Sequence, residues 1–297
     1  DTLAEIGFAL MDTEHYSEAA DSFQRIIKGG ENTLARYFHS YCLLKQKKYV
    51  EAINGYASIK PEEKEFYADA RADLALAYHK MGEEKRSDGI LAGLLAEFPQ
   101  DERVYRILSA RQEEQGNNAR AIEIMLIGLR EIPRNVGLLF SLGLMYERSG
   151  ERDKALDCMY EVIVVDPTHA DALNFLGFTY ADMGKRLDEA EKFVRQALRY
   201  KPDEGYIIDS LGWIYYKRGE YDKAVRWLEL ATLLEPAEAE ILTHLALAYR
   251  DAKRKDRMTE TLKRIALLRD IEARVEKILE EQFDSQWQKI KTSSGNK

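Results

Sequence analysis

The sequence predicts an all-α protein: an array of about eight helix–turn–helix hairpins, closed by a C-terminal capping helix. Three observations predict it. Pro99, Pro133, Pro167, Pro202 and Pro236 recur at spacings of 34, 34, 35 and 34 residues, and because proline cannot continue a helix they mark regular helix ends. A column of small residues, Gly7, Ser40, Ala75, Ser109, Gly143, Gly177, Gly212 and Ala246, recurs with the same period. Between these landmarks apolar residues fall at helical spacing, and the strand period of two is nowhere sustained.

Each element follows from the same columns. A large residue precedes the small one, a bulky or aromatic residue stands three after it, a second small residue follows near twelve, and a large apolar residue lies four further on. The first unit, about 1–32, carries Ile6, Gly7, Leu10, Ala19 and Phe23. The second, 33–67, carries His39, Ser40, Leu43, Ala52 and Tyr56, and the third, 68–101, Leu74, Ala75, Tyr78, Ser87 and Leu91. The fourth, 102–135, places Gln112 where an aromatic is expected, between Ser109 and Ala121. The fifth, 136–169, the sixth, 170–204, and the seventh, 205–238, are the most regular, reading Leu142-Gly143 to Tyr146, Leu176-Gly177 to Tyr180 and Leu211-Gly212 to Tyr215. The sixth has one extra residue in its turn, and the eighth, 239–270, puts Met258 in a small-residue place. The small columns let paired helices approach closely, since a large side chain at a crossing pushes the axes apart. A single hairpin cannot bury its apolar face, so the hairpins stack. The segment 271–291, with Val275, Ile278, Leu279, Phe283 and Trp287 at helical spacing, is expected to cap the last hairpin, and 292–297 to be a disordered tail.

Composition narrows the function. Charged residues make up 32% of the 297 and no apolar run is long enough to span a bilayer, so direct membrane insertion is not expected. The net charge of −8 argues against nucleic acid as the main partner. Cys42 and Cys158 are no disulfide framework and are read as inert core residues. None of His15, His39, His79, His169 and His244 stands at metal-ligand spacing, and no phosphate loop or nucleophile elbow is present, so neither cofactor, metal site nor catalytic residue is expected. The abundant carboxylates, as in Glu151 to Lys154 and Glu220 to Lys223, read as solvated helix faces with weak ion pairs.

The triplets LGLMY, LGFTY and LGWIY, continuing into Ala155, Ala190 and Ala224 and closing on Pro167, Pro202 and Pro236, resemble the tetratricopeptide repeat. That resemblance covers about residues 1–270. It implies a right-handed α-solenoid whose first helices line a concave groove, and a non-catalytic scaffold that binds a protein or peptide there. On that face lie the residues three before, one after and four after the small column, which share a helical stripe. The groove candidates are Tyr37, Tyr41, His79, Arg106, Phe140, Asn174, Phe178, Tyr206, Asp209, Trp213 and Tyr216. Tyr37 and Tyr41 are expected to make one aromatic cluster, and Phe140, Phe178, Tyr206, Trp213 and Tyr216 a second, because aromatics on a pre-formed surface bury area at low entropic cost. The carboxylate clamp of chaperone-binding relatives is not present: Arg103 and Arg106 are offered, but the preceding unit supplies Ala72, Asp73 and Leu76. The C-terminal repeats also resemble bacterial envelope adaptors, which implies a periplasmic or outer-membrane-anchored setting, with the cytoplasm as the alternative. Two other readings stand beside the scaffold: a regulatory region of a larger enzyme or sensor, with further repeats or a catalytic domain before Asp1, and self-association through an N-terminal end that starts on apolar residues.

Overall fold

The computed structural model describes residues 2–30, 32–268 and 271–294, which form seventeen helices and no strand. The chain divides into two compact units, Asp1–Ser149 and Gly150–Lys297, so the boundary falls inside the fifth expected repeat. The first unit holds α1 (Thr2–Asp12), α2 (Tyr16–Gly29), α3 (Thr33–Lys45), α4 (Tyr49–Ala57), α5 (Lys64–Lys80), α6 (Glu84–Glu97), α7 (Glu102–Glu114), α8 (Asn118–Glu131) and α9 (Val136–Arg148). Its first eight helices pack as four hairpins, with α3, α5, α7 and α9 side by side. The second unit holds α10 (Arg152–Val165), α11 (Ala170–Asp182), α12 (Leu187–Tyr200), α13 (Gly205–Lys217), α14 (Tyr221–Leu234), α15 (Ala239–Asp251), α16 (Lys255–Ile265) and α17 (Ala273–Ser294). Here α11, α13 and α15 are neighbours, each paired with the helix that follows, and α17 packs on α15 and α16.

The small column does what close packing requires. A Cβ built on Gly177 would stand 2.5 Å from Val194 Cγ2 and 2.8 Å from the Ala190 carbonyl, and one on Gly212 2.6 Å from Leu228 Cγ. The second small column, Ala19 to Met258, is buried in all eight repeats, and the large column behind it is buried everywhere except half-buried Leu91. The departures seen in the sequence have a cost. Tyr146, Tyr180, Tyr215 and Tyr249 are buried, whereas Leu10, Leu43, Tyr78 and Gln112 at the same position of the earlier repeats are only partly so. The hairpin turns need a left-handed residue: Gly82, Gly116, Gly150, Gly184 and Gly219 supply it, and Glu14, Lys47 and Lys253 adopt it without that freedom.

The capping segment is a helix that buries Val275, Leu279, Phe283, Trp287 and Ile290 and kinks at Asp284. Thr292 to Ser294, expected in the tail, continue it, and 295–297 lie outside the described residues.

Candidate functional site

In the second unit the first-helix face carries a stack of rings. Trp213 on α13 lies between Tyr216, 4.7 Å away and 9° from parallel, and His244 on α15, 4.1 Å away and 18° from parallel. Phe178 on α11 approaches the far side of the group, 6.1 Å from His244. His244 is held by Asp209, whose two carboxylate oxygens lie 3.0 and 2.9 Å from Nδ1. Lys217 donates to the Asp182 carbonyl at 2.9 Å and stands 4.9 Å from the Trp213 ring centre. The Tyr216 hydroxyl donates to Asp251 at 2.7 Å, and Arg250 donates both to that hydroxyl and to Asp251. Burial first, and then the Asp251 carboxylate, push the Tyr216 phenol above its usual range.

Two buried polar atoms on this wall have no hydrogen-bond partner among the described residues, Trp213 Nε1 and Asn174 Oδ1. A buried donor and a buried acceptor left open cost free energy unless something meets them. Trp213 is itself only 7% exposed. Its faces are covered by Tyr216 and His244, so an incoming chain meets the rim of the stack, where Phe178 and Tyr216 are half-buried.

The remaining candidates do not gather at one place. Tyr206 turns along its own face: its hydroxyl donates to Asp171 at 2.6 Å beside Lys201, and burial followed by that hydrogen bond pushes its phenol up to about 12. Tyr37 and Tyr41 do not form the expected pair. Tyr37 stacks on Phe66 and donates to buried Asp73 at 2.9 Å, so it joins hairpins instead of lining a groove. Tyr41 faces Tyr16 at 6.5 Å, with Lys45 5.2 Å from its ring centre. His79 bonds Glu84 across its own hairpin turn at 2.9 Å. Arg106 and the half-buried Phe140 sit on neighbouring helices of the first unit, and only Arg106 lines the cavity there. That cavity, of about 470 Å³ between α5, α7, α8 and α9, has Ile107, Ala110, Met125, Leu144 and Met145 as its apolar lining, with Arg103 and Arg148 beside Arg106 and with Asp69 and Glu113.

Two carboxylates contradict the solvated-face reading. Asp209 is 4% exposed, and Asp73 has no exposed surface, accepting from Tyr37, Tyr56 at 3.3 Å and Arg111. His244, absent from the candidates, stands two positions before the small column, as Asp73 does. The pairs Tyr37–Asp73 and Asp209–His244 share one rule: the residue three before the small position meets the residue two before it in the next repeat. That regularity was available in the sequence as a second stripe.

Three stretches of the chain, residues 5–61, 170–204 and 207–240, match tetratricopeptide-repeat family models. The TPR repeat-containing protein PA4667 of Pseudomonas aeruginosa is 30% identical over 142 residues, covering 48% of this chain and 24% of that protein. The protein O-mannosyl-transferase Tmtc3 of Drosophila melanogaster is 29% identical over 184 residues, covering 61% of this chain and 20% of that protein. The chain thus spans about a quarter or less of the length of these curated relatives. A tetratricopeptide repeat protein of Parabacteroides merdae shares the fold with a TM-score of 0.59 at 17% identity, covering 77% of this chain and 92% of that one. Hairpins of one period, with small residues at the crossings and three stretches that match the repeat directly, show that this chain carries tetratricopeptide repeats at residues 5–61, 170–204 and 207–240.

Proposed function

We propose that the chain is a non-catalytic scaffold that binds an extended protein segment on its first-helix faces, with the α11–α13–α15 wall as the principal site. One observation carries this reading: a contiguous aromatic stack on that wall together with two buried polar atoms, Trp213 Nε1 and Asn174 Oδ1, that lack partners among the described residues. Rigid aromatic area at the centre of a surface, with a polar rim, is where binding energy concentrates. Phe178, Asp209, Trp213 and Tyr216 form the core of the proposed site. Asn174 and Tyr206 flank it, and Arg106 marks a second contact region in the cavity of the first unit.

Selecting random peptides on the wild-type chain and remeasuring each binder on Trp213→Ala/Tyr216→Ala tests the wall. The double variant should lose on the order of 2 kcal/mol or more of affinity. Binders whose affinity does not change in a variant of normal helical content would remove the wall as the site.

A second reading is that the array regulates a longer enzyme. It is favoured by the small share of the curated relatives that the chain spans, one of them named as a transferase. Deleting the array from the full protein should then change that enzyme's rate, and an unchanged rate counts against it. The envelope-adaptor role is the finer form of the scaffold reading, supported by the bacterial relative. Fractionation of the tagged full-length protein checks it, and a purely cytoplasmic pool would exclude it.

A further inference from the structure

At the C-terminal end of the wall, α15, α16 and α17 enclose a cavity of about 400 Å³. Its floor is apolar, made by the buried side chains of Met258 and Phe283. Its rim is cationic, with Arg250, Lys253 and Lys255, and no carboxylate lines it among the described residues. That is unusual in a chain of net charge −8.

The three cations are not equivalent. Arg250 is built in: it donates to Asp251, to the Tyr216 hydroxyl and to Gln282 Oε1 at 2.9 Å, and lies 5.7 Å from the Phe283 ring centre. The side chains of Lys253 and Lys255 have no ion pair or hydrogen bond among the described residues. Three carboxylates near this turn are engaged by other groups, Asp251 by Arg250 and Tyr216, Asp222 by Arg254 at 2.7 Å and Glu220 by Lys223, and Asp256 follows Lys255 in the first turn of α16. Helix formation does not account for Lys255 either. It is the first residue of α16, where the helix dipole disfavours a cation.

We propose that this cavity receives a carboxylate of the bound protein segment at Lys253 and Lys255, with a large apolar side chain beside it on Met258 and Phe283. The occupant is an acidic–apolar stretch of polypeptide. Charge complementarity selects the acid, and the apolar floor selects its neighbour. Arg250 joins the cavity to the aromatic wall through Tyr216, so one extended segment can occupy both. The inference rests on the scaffold reading and names the chemistry of the partner.

Fluorescence anisotropy with two labelled peptides tests it. One carries two aspartates beside a leucine and a phenylalanine; the other is identical with asparagines in their place. The aspartate peptide should bind at least about tenfold tighter at low salt, and the gap should narrow near 0.5 M salt. Lys253→Asn/Lys255→Gln should close the gap, and Lys253→Asp/Lys255→Glu should reverse it. These positions line a rim, so the variants are expected to keep the wild-type Tm. Trp213→Ala should weaken both peptides alike.

Equal affinity for the two peptides, or a gap that survives both lysine variants, overturns the proposal. If the equal affinities are both lost in Trp213→Ala, the wall reading stands and the cavity falls. A gap closed by the lysine variants but indifferent to Trp213→Ala removes the wall and keeps the cavity. Sedimentation of the wild type, but not of Lys253→Asn/Lys255→Gln, with phosphatidylglycerol vesicles would assign the rim to a lipid surface and overturn the proposal. A concentration-dependent dimer lost in the same variant would assign it to a second copy and overturn it as well.

Discussion

Asp73 shows how a single residue can join repeats. Its carboxylate is fully buried on α5 and is met from α3 by Tyr37, from α4 by Tyr56 and from α7 by Arg111. Burial pushes its carboxyl above the usual range, against the pull of Arg111 and the two phenols. Burial first, and then the Asp73 charge, also raise the Tyr37 and Tyr56 phenols. Replacing Asp73 with Asn keeps the shape and removes the buried one of the two carboxylates that Arg111 pairs with, leaving only Glu114 at 3.0 Å, so we expect a loss of about 3 kcal/mol in urea unfolding. Tyr37→Phe removes one hydrogen bond and should cost about 1 kcal/mol. Losses below about 0.5 kcal/mol for Asp73→Asn would show that the network carries no stability. This scale was the least legible in the sequence. The stripe that holds Tyr37 also holds Trp213, and how each is covered depends on what the next repeat presents two positions before its small residue. There Asp73 draws Tyr37 inward, and His244 covers Trp213.

Elements were far more legible, because helix packing is periodic and the column positions follow from it. Gly177 and Gly89 make the contrast. A methyl on Gly177 would collide with Val194 and with the Ala190 carbonyl, whereas Gly89 and Gly93, inside α6, have nothing within 4 Å. Gly177→Ala should destabilise by about 1–3 kcal/mol through overpacking. Gly89→Ala should stabilise by about 0.5–1 kcal/mol by reducing backbone entropy in the unfolded chain. Thermal unfolding of the two variants checks both signs, and a stabilised Gly177→Ala would break the close-crossing account. The tyrosine column adds a register that the repeat pattern only implied. Tyr180 meets Tyr160, Tyr215 meets Arg195 and Tyr249 meets Glu229, each on the second helix of the hairpin before, at a hydroxyl contact of 2.7, 2.7 and 2.5 Å. In the first unit Gln112 occupies this column and bonds within its own turn, to Gln115 and Asn117.

For the whole molecule the sequence set the net charge, and the folded structure decides which carboxylates answer to acid. Glu191 is held at about 2: burial alone would raise it, and hydrogen bonds from Arg195, Arg218 and Tyr215 outweigh that. A carboxyl lowered on folding stabilises the native state above its ordinary value of 4.5, and that contribution fades as pH falls toward about 2. Discounted for partial exposure, it amounts to about 1 kcal/mol. Glu191→Gln should therefore lower stability by about that much at neutral pH and flatten its decline between about pH 4.5 and 2, as followed by denaturant titrations. A variant with the wild-type acid slope would show that the bonds to Glu191 do not shift its titration.

The sequence by itself determined the repeat: helix ends from proline, close crossings from small residues, hairpins from a 34-residue period. Each of these is a local rule or a contact at fixed separation along the chain. Tertiary structure alone decided which aromatic is covered, which carboxylate is buried, and where cations are left without partners among the described residues, as at Lys253 and Lys255. Those outcomes turn mainly on side chains of neighbouring repeats, which differ from one repeat to the next, so no repeating column encodes them.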